Sequence, residues 1–513
     1  MGMLTRNSKT RELVNCIMEN RYTIDQRNYE YFFFEIDADE YDILQSIEVN
    51  LDVYSKTAKV VLNEYIEESP CFMTEGMAQT LTVLPDYLEK GENVIAYKGQ
   101  IRITSIVLHK GNQLYPRQVA GHIKENDPYA NAMEFLLNSQ IEKPVTSRFV
   151  GSCYCIYDYT NQCFRMPCWL WSDAPTVSVM LDTIKSGRFP EYHSRMEQLA
   201  RDICEVMMNT QILDKKEETY GAYVSRYRYY AHSDYSFNKL LGPNDTSFTV
   251  KWALLPMYEY TGEVKYLNSA ELALDWVAQV SRTMPFVPSH YYFENKVWED
   301  RAFVDTGFCV EGFQKYDAIV SGDKYSELIK LIMDRYIAQF RLENGFYGQN
   351  YIPGKGVDHN LFARGQAWAL EGLLACVRGG INIAKYLKEA KSLADKLIKN
   401  QNMDGSWSWS LGDYEPDDET KAGSGSCEKA TGVLAYMLVQ LYLLDGKSEE
   451  RYLLSANKAI KWCETHMMLD REEGYGGIAS ESIASGITGL PFLHTATGYA
   501  NAFYLLAKGA LEK

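Results

Sequence analysis

The segments YEYTGEVKYLNSAELALDWV (258–277), QKYDAIVSGDKYSELIKLIMDRYI (314–337), CVRGGINIAKYLKEAKSLADKLI (376–398) and QLYLLDGKSEERYLLSANKAIKWC (440–463) carry one pattern four times. In each, a helical run ends near a glycine, a short turn follows, and an amphipathic run opens at a tyrosine. The marker residues Tyr266, Tyr325, Tyr386 and Tyr452 lie 59, 61 and 66 residues apart, the length of one helical hairpin plus a loop. A lone hairpin cannot bury its apolar face, so copies must stack. About 360 residues follow Gly151, room for six hairpins of about 60, and a closed ring of six helix pairs, an (α/α)6 toroid, is expected rather than an open solenoid. Three units end in comparable glycine-aromatic loops, ENGFYGQN (343–350), MDGSWSWS (403–410) and EGYGGIAS (473–480). Such loops fall on one rim of the ring, where inner helices turn polar residues toward a central cleft for substrate.

Ahead of the helical texture the period changes to two. Between Asn28 and Gly111, the runs YFFFEI, IEVNLDVY, KVVLNEYI, QTLTVLP, NVIAYKG and ITSIVLHKG are short, β-branched or aromatic, and separated by turn formers. They predict an N-terminal β-sandwich over residues 1–140, followed by the mainly α ring over 141–513. A structural cap or the surface of a homo-oligomer is the first reading of the β-rich part, and a glycan-binding module the second.

A chain of 513 residues with 46% hydrophobic and 23% charged residues is ordinary globular protein of more than one core. Its net charge of -16 argues against a nucleic-acid partner, which clustered Lys and Arg would have to hold. No apolar run suits a signal peptide or a membrane span, so no membrane partner and a cytoplasmic location are expected. The odd count of eleven cysteines fits reduced, buried thiols better than a disulfide framework. Cys153, Cys155, Cys163 and Cys168 cluster in GSCYCIYDYTNQCFRMPC, but the C-x-C pair puts both side chains on one face of a strand, which favours a buried hairpin over a metal knuckle.

Two carboxylates open mostly apolar helices at the same phase of neighbouring repeats: Asp245 in GPNDTSFTVKWALLPMYEYTG and Asp305 in EDRAFVDTGFCVEGFQKYDAIVSGD. Each alone reads first as a helix N-cap. As a pair on one rim they match the needs of glycoside chemistry, one carboxyl to move a proton and one to shape charge around the sugar. The neighbours Phe303, Val304 and Phe308 are expected to favour the protonated form of Asp305. In DHNLFARGQAWALEGL (358–373), Arg364, Gln366 and Trp368 start another helix: a guanidinium to fork a sugar carboxylate, an indole to stack on a pyranose, and two glycines for close packing. A buried Trp beside a surface Arg is the bland alternative. Trp169, Trp171, Trp407 and Trp409 read as sugar platforms or packing with equal weight, His494 reads as structural, and Glu428 is a further polar residue at a helix start.

From about Trp169 onward the sequence resembles the unsaturated glucuronyl hydrolases and the related unsaturated rhamnogalacturonyl hydrolases. NDTSFTVKWALLPMYEYTGEVKY echoes a D-x-G-F helix start with its following Y-x-x-T-G-D-x-x-Y, FVDTGF echoes F-I-D-T-M-M, and RGQAW stands letter for letter at 364–368. The resemblance implies a six-hairpin α/α ring, with Asp305 as general acid and base and Asp245 as the carboxylate that holds sugar hydroxyls. Arg364, Gln366, Trp368 and Trp171 would line the substrate pocket. It further implies hydration of the C4=C5 bond of a terminal unsaturated uronic acid, with no cofactor and no metal. Where that family carries a histidine, NGFYGQNY offers Gln349, and His359 stands for a second. Thr246 and Ser247 replace the family's L-G, and the β-rich part is absent from its simplest members.

The reading favoured here is thus a hydrolase of oligosaccharides ending in a uronic acid. The rivals are an exo-acting hydrolase of saturated β-glucuronides on the same fold, a sugar epimerase using His or Tyr as proton carriers, and a non-catalytic glycan-binding protein.

Overall fold

The computed structural model describes residues 10–13, 30–41, 43–53, 59–62, 77–83, 88, 90–98, 101–110, 123, 126–141, 151–159, 163–167, 170–228, 238–293, 295–411, 426–469, 473–479 and 495–512. The period-two region forms two antiparallel sheets. One has the order β1 (Thr10–Leu13), β7 (Ile101–Lys110), β3 (Leu44–Val53), β5 (Met77–Val83); the other runs β2 (Glu30–Ile36), β6 (Gly91–Lys98), β4 (Lys59–Leu62). Alternate residues of both sheets enter one buried cluster: Phe32, Phe34 and Ile36 from β2, Ile47, Val49 and Leu51 from β3, Ile95 and Tyr97 from β6, and Ile106 and Leu108 from β7. That alternation is the physical content of the period-two pattern.

The helices make a second, larger core. Chain order gives α1 (Pro128–Asn138), α2 (Leu170–Lys185), α3 (His193–Asn209), α4 (Pro243–Thr249), a π-helical turn (Val250–Leu254) running into α5 (Leu255–Thr261), and α6 (Val264–Thr283). A 3-10 turn (Val304–Phe308) then leads into α7 (Cys309–Val320), followed by α8 (Ser326–Phe340), α9 (Ala363–Arg378), α10 (Ile383–Lys399), α11 (Glu428–Leu444), α12 (Glu450–Thr465) and α13 (Gly498–Leu511). The inner members α2, α4–α5, α7, α9, α11 and α13 each pack on the next, and α13 packs back on α2, so the ring closes. Their outer partners are α3, α6, α8, α10, α12 and, for α13, α1. Six successive hairpins after Gly151 were expected; among the described residues the chain instead makes five and completes the sixth pair from the two ends of its helical region. The helical ring thus begins at Pro128, ahead of residue 141. Pairing α1 with α13 covers the outer face of the last inner helix, which a sixth hairpin would otherwise have had to do.

The marker tyrosines are the seams of the ring. All four are buried, and each is preceded by a cation. The Tyr325 hydroxyl donates to Asp275 (2.7 Å) on the preceding outer helix, Tyr386 to Asp334 (2.7 Å) and Tyr452 to Asp395 (3.3 Å). Lys324, Lys385 and Arg451 pair with the same three carboxylates, and Lys265, beside Tyr266, pairs with Glu205. The glycine-aromatic loops repeat as well. Each loop donates one backbone N–H to the fourth residue of the next inner helix: Tyr347 to Gln366 (2.9 Å), Trp407 to Thr431 (3.1 Å) and Ile478 to Asn501 (3.1 Å).

Because every outer helix returns the chain, the six inner helices run the same way and their N-termini share one rim. Partial positive charge from six helix ends therefore converges there, a setting that suits an anionic ligand. Among the described residues no helix is long and apolar enough to cross a membrane.

Candidate active site

Asp305 lies in the 3-10 turn between the short strand Ala302–Phe303, which pairs with Asn350–Ile352, and α7. Three neighbours pin that turn. Val304 N–H donates to the Gln349 carbonyl (2.9 Å), and the Tyr336 hydroxyl donates to the Val304 carbonyl (2.9 Å). The third is α9: a Cβ on Gly307 would stand 2.4 Å from the Trp368 carbonyl oxygen, and one on Gly365 2.5 Å from Val304 Cγ1. The RGQAW helix therefore lies backbone to backbone on the turn that carries Asp305, which is the close packing its glycines were expected to allow.

Asp245 sits in the first turn of α4, and its neighbour Asn244 donates from Nδ2 to Asp305 Oδ1 (2.6 Å). Burial pushes Asp305 up to about 7, and the charge of Asp245 adds to the rise, while His290 and the Asn244 hydrogen bond draw it down. Both carboxylates nevertheless keep partial solvent access. A carboxyl that exchanges its proton near neutrality is suited to act in turn as acid and base.

His290 completes the group. Its Nε2 stands 3.7 Å from Asp245 Oδ2, and its Nδ1 faces Ser289 Oγ (2.9 Å) and Glu299 Oε2 (3.4 Å). Burial opposes ionisation of Glu299, but the hydrogen bond and charge of His290, with Arg301 on the other oxygen (Nε to Oε1, 2.7 Å), hold it down to about 2.

Arg364 occupies the second position of α9 with 8% of its surface exposed. Five aromatic rings surround its guanidinium: Trp368 at 5.0 Å, Trp171 at 5.1 Å, Phe362 at 5.2 Å, Tyr499 at 5.4 Å and Trp409 at 5.9 Å. Among the described residues Nε and Nη1 have no hydrogen-bond partner, so the guanidinium fork is caged by π faces with two donor nitrogens unsatisfied. Trp368 also meets Phe308 of the Asp305 turn edge-on at 5.6 Å, which joins the aromatic cage to the carboxylates.

The residues named from sequence thus fall into two groups. Asp305, Asp245, Arg364, Trp368 and Trp171 gather on one rim. Gln366 is fully buried and spends its amide on the backbone: Nε2 donates to the Tyr347 carbonyl (2.7 Å) while Oε1 accepts from Tyr347 N–H, so it anchors a loop behind the cleft. Gln349 contributes its carbonyl to Val304, and its N–H donates to Asp358 Oδ1 (2.8 Å). His359 is exposed. Trp407 is buried with its Nε1 on the Leu397 carbonyl, and Glu428 is buried against Lys429 at 2.9 Å. Trp169, Cys168 and His494 lie outside the described residues; Cys155, within the hairpin of Tyr154–Asp158 and Cys163–Pro167, and Cys153, just before it, are buried free thiols. Among the described residues no three His, Cys, Asp or Glu side chains converge as a metal site. Sequence reading missed Asn244, His290 and Glu299. Asn244 was visible as the neighbour of Asp245, whereas His290 had only the hairpin signal ENK and its place before the Asp305 turn.

No family model and no curated relative matches this sequence. Solved structures do. The unsaturated glucuronyl hydrolase of Bacillus sp. GL1 aligns over 75% of this chain and 96% of its own, at 14% identity and a TM-score of 0.56. A sugar epimerase from a ruminal bacterium aligns over the same shares at 10% identity and 0.55. A family 76 glycoside hydrolase from a bovine Bacteroides thetaiotaomicron strain aligns over 94% and 96% at 13% identity and 0.52. What this chain shares with all three is the fold, the α/α toroid that the four repeated segments led us to expect.

Proposed function

We propose that this protein is a glycoside hydrolase that releases a terminal 4,5-unsaturated uronic acid from oligosaccharides by hydration. The observation that carries this reading is Asp305, held at about 7 beside Asp245 on the same rim as a caged, donor-rich Arg364. The Arg364 fork takes the uronate carboxylate, aided by the converging helix N-termini, and Trp368 and Trp171 stack on the sugar. Protonated Asp305 delivers its proton to C4 of the enol ether, and the positive charge that develops toward C5 and the ring oxygen is met by the Asp245 carboxylate. The Asp305 carboxylate then takes a proton from water as its oxygen bonds to C5. The hemiketal opens and the remaining sugar departs, leaving Asp305 protonated again. Two solved structures that share the fold, an unsaturated glucuronyl hydrolase and an unsaturated glucuronyl hydrolase specific for heparin, support the substrate class.

We also read the two N-terminal sheets as a β-sandwich unit that accompanies the ring, and the protein as cytoplasmic. The test of function is a paired assay on unsaturated uronyl disaccharides and on a chromogenic saturated β-glucuronide, with wild type and Asp305→Asn. Loss of the ultraviolet absorbance of the C4=C5 bond, abolished by the substitution, is expected. Release of the chromogenic group alone makes the protein a saturated uronidase, and silence in both leaves a glycan-binding protein or an epimerase. His290 beside Asp245 favours one further reading, a sugar epimerase, which would interconvert free sugars without cleaving a glycosidic bond.

A further inference from the structure

We propose that His290 is a positioning residue: backed by Glu299, it holds the Asp245 carboxylate in place beside Asp305, so that Glu299, His290 and Asp245 act as one electrostatic unit on which proton transfer at Asp305 depends. The inference deepens the proposed function and rests on that reading for its kinetic consequence, but its structural basis is independent of the substrate.

The unit is delivered by a small sheet. The strand Asn238–Leu241 runs directly into Gly242 and the first turn of α4, and it pairs with Tyr291–Tyr292, Leu241 opposite Tyr291. His290, one residue before that pair, is thereby set against Gly242 and the Asp245 turn. A Cβ at Gly242 would stand 2.9 Å from Asp245 Oδ2, so only glycine there lets the carboxylate lie toward the imidazole. The return strand, Val297–Trp298, pairs Trp298 with Tyr291, and Glu299 N–H donates to the His290 carbonyl (2.8 Å). Histidine and glutamate are therefore cross-strand neighbours fixed by backbone, not by side-chain choice.

A histidine kept nine-tenths buried for packing alone has no use for carboxylates at both nitrogens, yet His290 has Asp245 at Nε2 and Glu299 at Nδ1. Arg301, on the far oxygen of Glu299, continues to Asn350 Oδ1 (3.0 Å), and Asn350 Nδ2 reaches Asp358 (2.7 Å), whose Oδ1 accepts from Gln349 N–H. The chain of contacts so returns to the residue whose carbonyl pins the Asp305 turn. Among the described residues, the charged groups facing the imidazole are Asp245 from α4, Asp305 from the 3-10 turn, and Glu299 just after the return strand, with Arg301 behind Glu299. Of the nearby charges on other elements, Lys239 lies over the Phe293 ring and Glu218 is bound by the Tyr291 hydroxyl. The charge on His290 draws Asp305 down, against the upward push of burial and Asp245, so removing it has a defined sign.

The experiment uses the full chain with His290→Gln, Glu299→Gln and the double substitution. In the free protein, carboxyl titration of carbon-13-labelled aspartates, with Asp305 assigned by subtracting Asp305→Asn, should move to higher pH in His290→Gln. With whichever uronide the wild type turns over, kcat/KM should fall about 10- to 100-fold while the unfolding transition is retained, as expected when a catalytic carboxylate loses its geometry. The double substitution should cost no more than His290→Gln alone, because the two residues act as one unit. If His290→Gln does not fold, Glu299→Gln, which leaves the imidazole in place, must still lower kcat/KM. An unmoved Asp305 titration, or single losses that multiply in the double variant, overturns the inference. Should no uronide be turned over, the proposed function fails, and the titration alone still decides this one.

Discussion

Asp305→Asn should make the protein more stable while removing its activity. A carboxyl held at about 7 in the folded chain, against an ordinary value of 3.8, binds its proton more tightly folded than unfolded. Stability is then fully present below about pH 4 and is lost as pH rises toward 7. The cost to the folded state works out at about 4 kcal/mol near pH 8 and under about 2 kcal/mol near pH 5; partial solvent access at Asp305 lowers both, to about 2–3 and about 1 kcal/mol. The amide is close in shape to the carboxyl, and its oxygen can still accept from Asn244 Nδ2, so the substitution removes the charge with little change in contacts. Urea unfolding of wild type and variant at the two pH values reads the effect directly. A gain for the variant that is larger near pH 8 than near pH 5 is expected. A pH-independent difference, or a loss near pH 8, would refute the idea that Asp305 is held protonated by its surroundings.

Four other outcomes follow from the same geometry. Arg364→Lys replaces a planar fork by a point charge inside the aromatic cage, and should raise KM on a uronide about tenfold or more with a smaller change in kcat, read by steady-state kinetics. Gly307→Ala puts a Cβ 2.4 Å from the Trp368 carbonyl, which must push α9 away from the Asp305 turn; a loss of about 1–3 kcal/mol in unfolding and a fall in kcat should appear together. Glu311, 1% exposed, bridges Arg378 (2.6 Å) and Lys251 (3.3 Å) on neighbouring inner elements, so Glu311→Gln should cost about 3–5 kcal/mol in urea. Burial, with the charge of Glu311 adding to it, pushes Glu371 beside it well up and favours its protonated form, so Glu371→Gln should change stability little, measured in the same titration.

The ring was legible because its repeat is a physical unit. A tyrosine at the start of each outer helix recurs since its hydroxyl, with the preceding cation, ties that helix to an acid on the previous one, and such a seam must appear once per pair. Closure was less legible: α1 and α13 lie at opposite ends of the helical region, about 360 residues apart in sequence, and no local signal says that they pair. Asp245 and Asp305 stood out as acids opening apolar helices, and RGQAW as an arginine and a tryptophan among glycines. Gln366 looked identical in kind to those neighbours, but a side chain at the fourth helical position points at the preceding loop, where Thr431 and Asn501 do the same task. His290 and Glu299 escaped notice because they meet Asp245 only through the pairing of short strands, a register that sequence alone does not fix.

The central claim is that Asp305 gives a proton to C4 and water attacks C5. Turnover of an unsaturated uronyl disaccharide in deuterium oxide, followed by nuclear magnetic resonance of the released uronic acid, tests it most directly. Deuterium at C4 from the wild type, and no product from Asp305→Asn, is the predicted result. A product that keeps its C4=C5 bond and carries no deuterium at C4, released by cleavage at C1, would contradict it.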